Sequence, residues 1–121
     1  AVRWFSMLLD SDRNRILHMV EAARQAMSFV EQRDRLDLDK DPQLRLAVLR
    51  ALEVLGEAAA RVSSSVRSTY PNIPWGLAIS MRNRLIHAYF DVEPTVIWRT
   101  VTEDLPPLIA ALEAVLPENQ L

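Results

Sequence analysis

The chain has 121 residues, half of them hydrophobic and a quarter charged, which fits one globular domain and leaves no room for two. Its 14 basic residues against 16 acidic ones leave a formal charge of −2, so the global basic footprint of a duplex-binding protein is missing. With two glycines, Gly56 and Gly76, no cysteine and two histidines, there is no Gly-rich phosphate loop, no disulfide or thiolate zinc site, and no HExxH zinc helix. All but one of the basic residues are Arg, Lys40 being the exception; Arg suits phosphate recognition, although such a bias also follows from genome composition. No apolar run reaches the ~18 residues of a membrane span, and Met7-Leu8-Leu9 is too short for a secretory core. A soluble, cytoplasmic protein without membrane contacts is expected. Ala1 to Ser6 fits no later pattern and is expected to be an added or disordered extension, with Met7 as the natural start and residues 7–121 as a single domain.

Asp10-Ser11-Asp12 reads as an N-cap cluster for a first long helix over about 12–32, whose stripe is Ile16, Val20, Ala23, Met27 and Val30. Arg33 to Asp39 reads as a charged connection. Asp41-Pro42 then opens a second helix carrying Leu44, Val48, Ala51, Leu55, Ala58 and Val62 to about Ser63. Leu46, Leu49, Leu52 and Val54 lie off that stripe, so this helix is either central or part of a subunit interface. Ser63-Ser64-Ser65 ends it, and Tyr70-Pro71-Asn72-Ile73-Pro74 is a Pro-punctuated loop.

Pro74 can start a third helix with Ala78, Met81 and Leu85 on one face. Asp91 to Pro94 interrupts, Pro94 restarts a helix with Ile97, Val101 and Leu105, and Pro106-Pro107 forces a kink or a new start. A last short helix runs through Leu108, Leu112 and Val115-Leu116 to Pro117. Strand alternation and Asn-Gly turns are missing. The pattern predicts an all-α, up-and-down bundle of four to five helices.

Chemistry concentrates in Met81 to Asp91, which holds Arg82, Asn83, Arg84, His87 and Tyr89. These types can bind a phosphate and move a proton. Asn83 and His87 share a helix face, and Arg82 and Tyr89 share another. Arg82 and His87 are about 140° apart around one helix, so they meet only if the helix ends near His87, if Arg82 reaches around, or if a second copy completes the site. The structural alternative is a His near a helix C-terminus beside solvated arginines.

Arg82-Asn83-Arg84-Leu85-Ile86-His87-Ala88-Tyr89 resembles the Arg, four residues, His, one residue, Tyr motif of HepT-like toxins in the HEPN (higher eukaryotes and prokaryotes nucleotide-binding) superfamily. Leu52 to Ala58, with its Gly56-Glu57-Ala58, is similar to that family's Gly-Glu-Ala helix. Tyr70 to Trp75 is similar to its Pro-Trp lead-in to the third helix. Asp91 to Trp98 and Asp104 to Leu108 resemble its later segments, so the likeness runs from about Met7 to Leu116. The resemblance implies a homodimeric, metal-independent endoribonuclease, the toxin of a toxin–antitoxin pair acting on tRNA or mRNA. It needs no cofactor, and its partner is a minimal nucleotidyltransferase antitoxin. Carried over residue by residue, Arg82 and His87 form the catalytic site in the dimer cleft with the polar Asn83. Tyr89 accepts AMP from the antitoxin, and Arg84 is a secondary contact to RNA phosphate. The alternative within the superfamily is a non-catalytic nucleotide-binding or substrate-presenting module.

RNA brings its own nucleophile, the 2′-OH, so a His of near-neutral pKa and an Arg suffice in principle. His18, placed among apolar neighbours in the first helix, is a poor second His, and His87 of a second protomer is the economical source. Glu53 and Glu57, with Arg50 and Arg61 around them, read as helix-surface ion pairs. The alternative is that one of these carboxylates orients a motif Arg. Gly56 in mid-helix points to a close helix–helix approach. The Trp residues and Met19, Met27 and Met81 read as core or interface filler.

Overall fold

The computed structural model describes the backbone of residues 2–87 and 93–116 and the side chains of residues 11–83 and 93–116. Among them every regular element is helical: α1 (Val2–Phe29), α2 (Arg35–Lys40), α3 (Pro42–Arg61), α4 (Ser64–Thr69), α5 (Trp75–His87), α6 (Pro94–Arg99), a π-helical turn (Thr100–Asp104) and α7 (Leu105–Val115). The all-α expectation holds. The count of four to five is too low for the described residues, because two short helices, α2 and α4, escape the periodicity.

The first difference is at the start. Helix α1 begins at Val2, so Asp10-Ser11-Asp12 lies inside it and caps nothing there. Asp12 instead accepts two hydrogen bonds from Ser63, from the backbone N–H to Oδ1 and from the hydroxyl to Oδ2, both 2.8 Å. Ser63 in turn is the N-cap of α4, its Oγ accepting from the Val66 N–H. At its other end α1 stops short of the expected Gln32, which takes a left-handed φ of 59°; a residue in that region carries the chain out of a helix.

Arg33 to Asp39 is not a plain connection. Asp34 and Asp37 form a reciprocal capping box, with Asp37 N–H donating to Asp34 and Asp34 N–H to Asp37 at 2.8 Å, and Leu38 is fully buried. The Asp-x-x-Asp spacing is the signal that marks α2. Helix α3 starts as expected, with the Asp41 carboxylate accepting from Leu44 N–H at 3.1 Å and Pro42 in the first turn.

Helix α3 is the centre of the domain. It packs against α1 and α5 over most of its length and touches α2 and α6 as well. That settles why Leu49 and Leu52, off the expected stripe, are buried. Leu46 stays half exposed. The expected stripes otherwise form the core: Ile16, Val20 and Ala23 of α1 with Val30 just beyond it, and Leu44, Val48, Ala51, Leu55 and Ala58 of α3 with Val62 at its C-cap. Ala78 joins from α5, and Ile97, Val101, Leu105, Leu108 and Leu112 come from the last helices. Met19, with 0% of its surface exposed, and Trp75 are core residues, while Met27, Met81 and Trp98 pack against the core. Trp75 also donates its indole N–H to the Tyr70 carbonyl at 3.0 Å, which ties the Pro-rich loop to the start of α5.

The two prolines at 106 and 107 act as the sequence predicts. Neither has an N–H, and the Pro106 ring would meet the carbonyl four residues earlier in a continuous α-helix. The chain widens into the π-helical turn just before them, and both prolines then sit in the first turn of α7. Hydroxyls of Thr100 and Thr102 donate back to the carbonyls of Val96 and Trp98, each at 2.8 Å. Helix α7 closes back onto α1, where Arg24 pairs with Glu113.

Candidate functional site

The site expected from sequence lies on α5, and what positions that helix is its crossing with α3. Gly56 is the point of contact. A Cβ built on Gly56 would stand 2.8 Å from the Ala78 carbonyl oxygen and 3.2 Å from Arg82 Cα, and closer still to Arg82 Cβ. The sequence predicted a close approach at Gly56; the structure shows that Arg82 is what approaches. Gly76, by contrast, has nothing within 4 Å of an added Cβ.

Arg82 is half-buried, and its Nε is buried without a hydrogen-bond partner among the described residues. No described carboxylate pairs with it. Of the two acidic candidates, Glu53 accepts from Arg50 at 2.6 Å, and Glu57 lines a groove on the α1 side of α3. The ion-pair reading of Glu53 is therefore the one the structure supports. Arg82 carries a positive charge that no described internal partner neutralises, with its stem held against α3. A guanidinium so placed can offer parallel N–H donors to a phosphate or carboxylate.

Asn83, next along α5, is exposed. The backbone of α5 is described to His87, which places Arg82, Asn83, Arg84 and His87 on one helix. The side chains of Arg84 and His87, and all of Tyr89, lie outside the described residues. A helix placement alone does not bring Arg82 and His87 to one point.

His18 needs a correction. Its neighbours in sequence, Leu17 and Met19, are apolar, but its own side chain is exposed. With Arg15, Glu21, Arg24, Glu57 and Arg61 it lines an open groove of about 710 Å³ between α1 and α3. The residues of α1 that line it fall on the side away from the Ile16 stripe, a pattern present in the sequence once the stripe is drawn. A second, smaller groove of about 230 Å³ runs between α5 and α6, with half-exposed Leu77 and Val96 beside Arg99 and Asp104. Among the described residues no group of three or more His, Asp or Glu is placed to hold a metal ion, and no helix is long and apolar enough to cross a membrane.

What stands out is an all-helical domain that presents, where its central helix is crossed by α5, an arginine with no counter-charge among the described residues. Residues 19–115 match the family model described as "Ribonuclease HepT-like", so the chain belongs to the HepT-like ribonuclease family. It is 34% identical over 97 residues to "Putative RNase MJ1380" of Methanocaldococcus jannaschii, covering 80% of this chain and 89% of that one. It is 44% identical over 73 residues to "Probable ribonuclease HepT" of Thermococcus cleftensis, covering 60% and 66%. It is 34% identical over 84 residues to "Putative RNase TTE0752" of Caldanaerobacter subterraneus, covering 69% and 75%. No solved structure matches the chain.

Proposed function

We propose that this protein is a metal-independent endoribonuclease that works as a homodimer of up-and-down helical bundles, the toxin half of a toxin–antitoxin pair. The observation that carries the reading is Arg82: half-buried, free of any described carboxylate, and held at the α3–α5 crossing in a chain of the HepT-like ribonuclease family. An arginine kept without an internal counter-charge is available for an external anion.

In the reaction, the RNA 2′-oxygen attacks the adjacent phosphorus and the bond to the 5′-oxygen breaks, leaving a 2′,3′-cyclic phosphate. One His87 takes the proton from the 2′-OH, and His87 of the partner subunit gives a proton to the departing 5′-oxygen. Arg82 neutralises the extra negative charge of the pentacoordinate phosphorus, where a charge-assisted bidentate contact counts most. Asn83, exposed on the same helix, supplies a neutral donor or acceptor, and Arg84 a secondary phosphate contact. Two copies of one short motif concentrate positive charge that the acidic chain as a whole lacks. In this scheme a cognate minimal nucleotidyltransferase transfers AMP to Tyr89, and the added phosphate competes for the arginine and occludes the cleft.

The deciding experiment incubates pure protein with tRNA and with mRNA in EDTA, alongside Arg82→Ala and His87→Ala. Cleavage that survives EDTA, leaves cyclic phosphate ends and falls by orders of magnitude to a residual rate in both variants is the expected result. Cleavage intact in His87→Ala refutes the mechanism. Nucleotide binding without cleavage points instead to the non-catalytic module. Co-expression with a cognate nucleotidyltransferase is expected to add the mass of AMP to the chain, and Tyr89→Phe to abolish that addition.

A further inference from the structure

We infer that Gly56 is a positioning residue for Arg82: its missing side chain is the seat on which the turn of α5 carrying the catalytic arginine rests. The inference deepens the ribonuclease reading and relies on it for its cleavage readout. Three observations converge. The atoms an added Cβ would strike are Ala78 O, Arg82 Cα and Arg82 Cβ, and no other neighbour of Gly56 is as near. In an α-helix the Ala78 carbonyl is the acceptor for the Arg82 N–H, so the clash falls on the hydrogen bond that fixes Arg82 in place. Finally, Arg82 Nε is buried without a partner among the described residues, the state of a guanidinium whose inner nitrogen is shut against packed helix.

Two of the neighbours are backbone atoms, and the third is a Cβ that cannot rotate away from its own Cα. A flexible side chain tip would move aside, whereas here α5 itself must shift or turn relative to α3. Spacings of 2.8 and 3.2 Å must relax toward ordinary contact, so the displacement at Arg82 Cα is a sizeable fraction of an ångström at least. A phosphate clamp is sensitive to that scale, because misplacement by about 1 Å can cost on the order of 100-fold in rate. Glycine at 56 also works against the helix it sits in, by about 1 kcal/mol relative to Ala, so its place in mid-helix needs a steric reason, and Arg82 is that reason.

The test combines a kinetic cycle with a probe that needs no RNA. Gly56→Ala, Arg82→Ala and the double variant are assayed for cleavage, with Gly76→Ala as the control for a glycine that touches nothing. Gly56→Ala is expected to lower kcat by about 10- to 100-fold with a smaller change in KM, and Gly76→Ala to cleave as the parent does. The double variant is expected to be no slower than Arg82→Ala alone, since a residue that acts through Arg82 has nothing left to position. Losses that multiply in the double variant, or full kcat in a folded Gly56→Ala, overturn the inference.

The second measurement follows the Arg82 Nε–H resonance in nitrogen-15-labelled protein. In the parent chain this proton is expected to exchange slowly with water, and in Gly56→Ala quickly. Fast exchange in the parent protein overturns the inference even if Gly56→Ala does not fold. Slow exchange in a protein that does not cleave RNA refutes the ribonuclease mechanism while leaving the seat intact, so the two failures are distinguishable.

Discussion

Replacing Asp12 offers the sharpest check on how α1 is tied to the rest of the domain. As a cap for α1, Asp12→Ala would cost about 1 kcal/mol, and Asp12→Ser almost nothing, since Ser caps as well as Asp. The structure assigns Asp12 a different task. Both of its oxygens accept from Ser63 at 2.8 Å, across a sequence separation of 51 residues and in a partly buried setting. Hydrogen bonds to a charged group contribute about 1.5–3 kcal/mol each, and partial exposure favours the lower end. Two such bonds, less the roughly 0.6 kcal/mol by which Ala is the better mid-helix residue, leave a net loss of about 2–2.5 kcal/mol. For a chain of this size that corresponds to a fall of roughly 8–10 °C in Tm.

Serine at 12 is too short to reach both donors, so Asp12→Ser is expected to lose nearly as much as Asp12→Ala. Asp12→Asn keeps an oxygen for the Ser63 N–H and an N–H₂ for its hydroxyl, and is expected to lose less. Urea unfolding of these variants, with and without Ser63→Ala, gives the coupling between the two side chains, expected at about 1 kcal/mol or more. A parent-like Asp12→Ser, or strict additivity with Ser63→Ala, would refute the tie between α1 and the α4 cap.

Two further outcomes follow from the caps and the charged face of α3. The Asp41 carboxyl is held below its ordinary value of 3.8, chiefly by the backbone N–H of Leu44, which partial desolvation opposes and Arg33 reinforces. A depressed carboxyl stabilises the fold above its unfolded pKa and loses that contribution as pH falls below 3.8 through the folded value. Asp41→Asn is expected to flatten the acid limb of the stability curve in that window, and an unchanged limb would show that the cap does not titrate with folding. Glu53→Ala removes an exposed i, i+3 partner of Arg50, so stability should change by no more than about 0.5 kcal/mol. RNA cleavage should be unaffected; a large loss of cleavage would revive Glu53 as the group that orients a motif arginine.

Local periodicity was enough to find the long helices. Ile16, Val20, Ala23 and Val30, and likewise Leu44, Val48, Leu55 and Val62, are buried as their spacing requires, because a helix repeats its faces whatever it packs against. Asp41-Pro42 and Pro106-Pro107 marked real boundaries for the same reason: a carboxylate that accepts the first free N–H groups, or a ring without an N–H, acts within one turn. The stretch from Arg82 to Tyr89, described on α5 as far as His87, was likewise legible as a concentration of Arg, Asn, His and Tyr.

What the sequence by itself determined is thus the helical class and its main boundaries, together with the stretch where reactive side chains concentrate and the shortage of other means: two glycines, no cysteine and two histidines. Tertiary structure decided the pairings. Asp12 looked like a cap for its own helix and instead holds Ser63, since a hydrogen-bonding side chain has no preference for near partners once the chain is folded back. His18 looked apolar from its neighbours in sequence and is exposed beside a groove of mixed lining, because adjacent residues on a helix face different directions. Gly56 announced a close crossing, but only the packing of α5 on α3 named Arg82 as what crosses there. A stripe specifies which face is buried; which residue lies opposite depends on the angle and register of two helices, and those are settled by all their side chains together.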